Sequence, residues 1–220
     1  MKKWTKKILA AVLCLMMLQM PAAEPLIAVQ TVQAASTAKA AKVKNGLKKE
    51  GGQYYYYVKG KKVKNTWKTV TVSNKTTGKK MTYRYYFSNT GKAYKGGTFF
   101  GENYLLVKKS GGKYYGFNRY AQMVKGVYYS AYGQSRAGFY AFNTKTGVYD
   151  ARTSSRLRKA FVREKSSAAL RKALGRPLRT RKTDGCYGDG QEYLLEYTRF
   201  WVNTYKDKKG KEIVLDVISK

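Results

Sequence analysis

The chain has 220 residues, of which 45 are Lys or Arg and 12 are Asp or Glu, with no His and two Cys, for a formal charge of +33. Without histidine, Ser-His-Asp and Cys-His catalysis, the commonest zinc sites and the usual neutral-pH general base are excluded. So large a positive field attracts polyanions, while 15% aromatic residues argue against a disordered chain.

Residues 1–20, "MKKWTKKILAAVLCLMMLQM", pair a lysine-rich start with an apolar run over 8–18. That is the pattern of a secretory signal peptide, and the run is shorter than the ~20 residues of a membrane-spanning helix. Val32-Gln33-Ala34 supplies small residues for cleavage, so the leader is expected to span 1–34 and to leave no integral membrane segment. Loss of Lys2, Lys3, Lys6, Lys7 and Glu24 leaves 41 basic against 11 acidic residues, +30. Cys14 departs with the leader, and Cys186 is left without an intramolecular partner. A basic, flexible linker is expected over 35–46.

From residue 47 the sequence repeats itself. Segments 53–67 ("QYYYYVKGKKVKNTW"), 83–97 ("YRYYFSNTGKAYKGG"), 112–126 ("GKYYGFNRYAQMVKG") and 138–150 ("GFYAFNTKTGVYD") each hold an aromatic pair, a turn rich in Gly, Asn, Lys or Ser, and a short return. Aromatics favour strands and Asn or Gly favours tight turns, so each reads as a β-hairpin. Aligned on Tyr55, Tyr85, Tyr114 and Phe139, the spacings are 30, 29 and 25 residues. Hairpins too small to bury their own faces must stack on neighbours, as in a solenoid. Residues 68–87 read as a longer hairpin turning at 74–79, and 99–117 as another turning at 110–112.

"NGLKKEGGQYYYYVKGKKVKNTW" and "YYFSNTGKAYKGG" resemble the cell-wall-binding repeat family, also called choline-binding or glucan-binding repeats, over residues 47–150. The resemblance implies binding of a surface polymer. The closing position is Trp67 in the first repeat, Gly97 in the second and Val127 in the third, so at most one aromatic cage is expected. Residues proposed to contact a polymer are Tyr55, Tyr57, Lys61, Lys62, Trp67, Tyr85, Tyr86, Tyr114, Tyr115 and Tyr140. Alternation in "YYYY" sends Tyr54 and Tyr56 to one face and Tyr55 and Tyr57 to the other; one pair is expected to pack on the next hairpin and the other to stay open.

Residues 151–220 change character. "SSRLRKAFVREKSSAALRKALGRP" has helical spacing, with Leu157, Ala160 and Phe161 on one face and Ala169, Leu170, Ala173 and Leu174 on a second segment. Ser166 or Ser167 can cap that segment, and Gly175 and Pro177 stop it. Strands are expected over 192–198, 199–205 and 212–219, giving a small α+β (αβββ) domain. "LRKALGRP", "GCYGDGQEYLLEY" and "FWVNTY" resemble the small α+β domains ending many Gram-positive surface proteins.

No metal site or cofactor is expected: "DGCYGDGQE" lacks the ligand spacing of a calcium loop. Glu192 and Glu196, four apart on one strand, lie about 13 Å from each other, beyond the reach of a glycosidase pair. No catalytic residue is assigned. The sequence thus describes a mainly β chain, an irregular hairpin array followed by an αβββ unit. The expected function is a secreted, wall-associated protein binding cell-wall polysaccharide or teichoic acid, with another protein as a possible partner of the C-terminal domain. No specific nucleic acid is expected. The alternatives are an accessory or remnant of a wall hydrolase, and a binder of any polyanion or anionic membrane through charge.

Overall fold

The computed structural model describes residues 43–73 and 77–220. The expected leader, most of the linker and the first half of the 74–79 turn lie outside them. Over the described residues the chain is mainly β, built as an array of small antiparallel sheets with two helices.

The first unit is a three-stranded sheet of β1 (Gly46–Glu50), β2 (Gln53–Val58) and β3 (Lys61–Lys62). Its β1–β2 turn is the pair Gly51-Gly52, both at positive φ, the mirror-image two-residue turn whose twist matches that of paired strands. The second unit pairs β4 (Thr66–Ser73) with β5 (Lys80–Phe87) through eight register positions. A small hairpin follows, β6 (Gly97–Phe99) and β7 (Glu102–Tyr104). Then come β8 (Leu106–Ser110) with β9 (Lys113–Phe117), and β10 (Gly126–Ser130), β11 (Gly138–Phe142) and β12 (Tyr149–Asp150). The stretch 99–117 is therefore two hairpins rather than one. Phe100-Gly101, both at positive φ, turn the first of them.

Each unit carries a buried aromatic at or one residue before the end of its long strand: Tyr57, Phe87, Phe117 and Phe142. A turn then brings the chain back beside that aromatic, as in the bridges Phe87 to Ala93 and Phe117 to Met123. The return also bonds to the preceding unit. Ala93 N–H donates to the Tyr54 carbonyl at 2.9 Å, and 30 residues later Met123 N–H donates to the Arg84 carbonyl at 2.8 Å. One backbone bond at a constant offset stacks unit on unit, the nearest-neighbour logic of a repeat array. In this frame the third-unit counterpart of Tyr55 and Tyr85 is Tyr115, and the fourth is Tyr140. The alignment on Tyr114 and Phe139 is one residue out of phase, which in a strand means the opposite face.

Helix α1 (Ala151–Ala160) begins directly after β12. Asp150 caps it, its carboxylate accepting from the Thr153 N–H at 2.9 Å and the Thr153 hydroxyl at 2.7 Å. Helix α2 (Ala168–Leu174) ends at Gly175, at φ 78°. The Ser167 hydroxyl does not cap it; it donates to Glu212 at 2.9 Å.

The sheet below has four strands, not three: β13 (Arg179–Thr183), β14 (Gln191–Glu196), β15 (Phe200–Lys206) and β16 (Glu212–Ser219), in that order. The missed strand, "RTRKT", is an almost wholly exposed edge with no apolar alternation to betray it, and its charges discourage further pairing. A bulge opposite Asn203 and Thr204 inserts Leu215, so Val214 and Val217, on opposite sides of the expected alternation, both face the core.

Leu157 and Leu170 pack on Leu195, Val202, Val214 and Val217, and Phe139 of β11 joins them. Residues 138–150 and the αβ unit thus share one core. Ser219 closes a second link: its hydroxyl accepts from the Asn103 N–H at 2.7 Å.

Candidate functional site

The seam between the second and third units gathers aromatic rings. Trp67 and Tyr86 face each other across β4 and β5, with ring centres 5.2 Å apart. Trp67 also meets Tyr115 edge-on at 4.9 Å and stacks on Phe117 at 5.8 Å. Tyr94 completes the group, 5.0 Å from Tyr86 and 5.5 Å from Phe117. Phe117 is buried, whereas Trp67, Tyr86, Tyr94 and Tyr115 are half-buried. Edge-to-face and offset contacts of this kind stabilise a cluster beyond its buried area. The Arg84 guanidinium lies 4.6 Å from the centre of the Trp67 ring, supplying a cation for a π face from within the chain.

Three of the sequence-selected residues, Trp67, Tyr86 and Tyr115, therefore meet. Tyr55, Tyr57 and Lys62 form a second group on the first unit. The Lys62 ammonium sits 3.8 Å from the Tyr55 ring centre, and the Tyr57 hydroxyl donates to Glu50 at 2.8 Å. These two rings keep only 9% and 5% of their surface. The opposite pair, Tyr54 and Tyr56, packs on Tyr85 and Phe87 at 6.5 and 6.1 Å and is half-buried. The alternation holds, but neither face of "YYYY" is left open, because Lys62 and Glu50 engage the side away from the next unit.

The remaining selected residues separate. Tyr85, 2% exposed, belongs to the core under the first two units. Tyr140 is buried as well, and its hydroxyl donates to the Arg136 carbonyl at 2.6 Å. Burial removes both from the rings that can meet a polymer. Tyr114, 49% exposed, stands opposite Lys109 on the β8–β9 hairpin, away from the seam. Lys61 is exposed on β3.

A groove of about 540 Å³ runs beside Tyr94, lined also by Tyr104, Gln53, Thr98, Lys95 and Gln134. Rings, amides, hydroxyls and an ammonium in one concave strip can contact both apolar and hydroxylated faces of an extended ligand. Tyr104 reaches it because Gly96 and Gly97 carry no side chain: a Cβ on Gly96 would overlap the Tyr104 carbonyl and come within 2.8 Å of the Phe117 carbonyl. Sequence reading missed Tyr94, Tyr104 and Gln134. Tyr94, seven residues after the repeat-ending Phe87, carried a usable signal in "GKAYKGG"; Gln134, in a loop without a repeat counterpart, carried none.

Arg84 places a cation at the seam. Several carboxylates are engaged elsewhere. Glu50 is held below its ordinary range by hydrogen bonds from Lys44 and then Tyr57. Glu196 is held down by Lys220, and Asp189 by Lys208 and then Tyr205. Glu212 takes hydrogen bonds from Arg171, Ser167 and Thr204. Among the described residues no three of His, Cys, Asp and Glu cluster as metal ligands. Cys186 is free and exposed. Among the same residues no helix is long and apolar enough to cross a membrane.

No family model matches the chain, and no curated protein matches it. Among solved structures it is similar to one described as the crystal structure of the modular Cpl-1 endolysin complexed with a peptidoglycan analogue, with 13% identity over 80% of this chain and a TM-score of 0.33. The chain spans 38% of the length of that structure. A likeness of this size carries no argument about ligand.

Proposed function

We propose that this chain is a secreted, non-catalytic protein that binds cell-wall polymers, a polysaccharide or teichoic acid, through its hairpin array. The observation that carries the reading is the half-buried seam of Trp67, Tyr86, Tyr94 and Tyr115, opening beside a groove lined by amides, hydroxyls and Lys95. Ring faces bury the apolar faces of sugars or polyols. Amides and hydroxyls meet their hydroxyl groups, and ammoniums meet anionic substituents. Each contact is weak, so retention on a wall arises from several engaged along one polymer.

The test is co-sedimentation of the full chain with purified Gram-positive walls, before and after removal of teichoic acid, across a salt series. Binding that survives moderate salt and falls with Tyr94→Ala or Trp67→Ala supports the reading. Equal binding to every polyanion, abolished by salt and indifferent to both variants, reduces the interaction to net charge.

A further inference from the structure

A second concavity, about 260 Å³, lies on the other side of Arg84 and is lined by Arg84, Lys125, Arg199, Tyr128, Asn118 and Gln122 among others, with no carboxylate in its wall. The three cations come from separate parts of the chain. Arg84 is on β5, Lys125 lies in the return that follows β9, and Arg199 sits in the turn between β14 and β15. Among the described residues none of the three pairs with a carboxylate; the ion pairs use Lys44, Arg171, Arg181, Lys208 and Lys220.

A chain this basic has exposed cations in many places, and most are solvated. Here two guanidiniums are held by rings. Arg84 lies over Trp67 at 4.6 Å, and Arg199 lies over Tyr128 at 4.7 Å. The Arg199 guanidinium also passes in van der Waals reach of Gly126, whose φ of 84° is in the left-handed region. The Asn118 side chain is fixed by two backbone N–H groups, of Tyr120 and Gln122, and by the Gln122 amide. Convergent like charges repel, and a planar guanidinium fork is shaped for an oxyanion.

We propose that this pocket is a phosphodiester subsite, in which Arg84, Lys125 and Arg199 hold the phosphate of a polyol-phosphate wall polymer whose neighbouring unit lies on the Trp67 seam. The proposal rests on the wall-polymer reading and adds the chemistry of the anion. The volume, below the ~300–1,000 Å³ of a drug-sized site, has room for one phosphate and a short polyol. Arg84, shared by pocket and seam, sets the register between them.

The experiment titrates the full chain with short poly(glycerol phosphate) and follows 31P line broadening. Lys125→Gln with Arg199→Gln is compared with Lys108→Gln with Lys109→Gln, which removes the same charge from exposed positions on β8. Affinity should fall about tenfold or more in the pocket variant, the loss expected for charge-assisted hydrogen bonds, and less than about twofold in the control. Equal losses in both would overturn the proposal, because net charge alone would then explain binding. So would an equal pocket dependence for phosphatidylglycerol vesicles or DNA, which would remove the wall polymer as the ligand. Lys125→Gln alone, at an exposed side chain, guards against loss of fold and should weaken binding about threefold. Retention on walls stripped of teichoic acid is read separately. If it persists while the titration fails, the subsite falls and the wall reading stands; if wild-type chain binds no wall, stripped or intact, both fall.

Discussion

The Arg84 guanidinium lies over the Trp67 ring at 4.6 Å, across the strand pair that joins them, while its own carbonyl accepts the Met123 N–H of the next unit at 2.8 Å. One residue thus ties an aromatic surface to the register of the array. Arg84→Gln keeps the backbone bond and removes the cation, at a cost of about 0.5–1 kcal/mol. Trp67→Ala removes the ring that touches Tyr86, Tyr115 and Phe117, at a cost of roughly 2–4 kcal/mol for a half-buried site. Chemical denaturation of both variants should reproduce that order; a larger loss in Arg84→Gln would mean that the ring cluster is not what binds the two units.

Close approach of backbones at Gly96 gives a second prediction. A methyl group there meets two carbonyl oxygens, of Tyr104 and Phe117, neither of which can move without displacing its strand. Gly96→Ala should destabilise by about 1–3 kcal/mol, as overpacking does, and reduce wall retention by shifting Tyr104. An unchanged unfolding midpoint would show that the β6–β7 hairpin yields freely.

Phe100 presents the opposite case. Its ring is 92% exposed, and its φ of 46° belongs to the left-handed region that Asn tolerates and bulky residues do not. Phe100→Asn should therefore stabilise the fold by about 1 kcal/mol, read as a rise in thermal midpoint. A fall would mean that its contact with Phe99, at 4.5 Å, outweighs the strain.

The particular residues also show what was legible from sequence. The alternation in 54–57 and the stop at Gly175 follow from local chemistry and hold. The phase of the third repeat does not follow: "KYYGF" offers two tyrosines, and the choice of Tyr115 over Tyr114 is made by the unit beneath it. Strand β13 was invisible because its partner β14, not its own side chains, makes "RTRKT" a strand. The bulge at Leu215 is likewise a property of the pairing with β15. The Trp67 seam was half legible, since Trp67, Tyr86 and Tyr115 stand at the closing position and in the aromatic pairs of the repeat pattern, but Tyr94 and the cations of the anion pocket converge only once the units stack.

The capping of α1 gives a test of the junction between the array and the αβ unit. Asp150 both ends β12 and caps α1, and its two hydrogen bonds from Thr153, backbone first, hold its carboxyl below the usual range. Asp150→Ala should cost about 1 kcal/mol, whereas Asp150→Asn, which can still accept, should cost less. Equal losses would place the effect in charge rather than in the cap.

The pH dependence of stability follows from which groups fold at altered pKa. Asp150, Asp189, Glu196 and Glu50 all lie below their ordinary values in the fold. Their contribution is complete above the unfolded-state carboxylate values near ~4 and is lost as pH falls through the lower folded ones. Tyrosine works in the other direction. Burial raises Tyr85, Tyr128, Tyr140 and Tyr197, and burial followed by the Asp216 and Glu102 carboxylates pushes Tyr129 up to about 12. A raised phenol favours the neutral form in the fold, so this stability is complete below the unfolded value of 10.0 and is lost as pH climbs toward about 12. With no histidine in the chain, nothing among the side chains with resolved shifts titrates between these limbs. Denaturation midpoints should be level from about pH 6 to 8, with an acid fall and an alkaline fall in which tyrosinate absorbance and loss of near-ultraviolet circular dichroism coincide. Tyrosinate formation completed near pH 10 with the fold intact would show that these phenols are solvated and that the aromatic units are looser than their packing indicates.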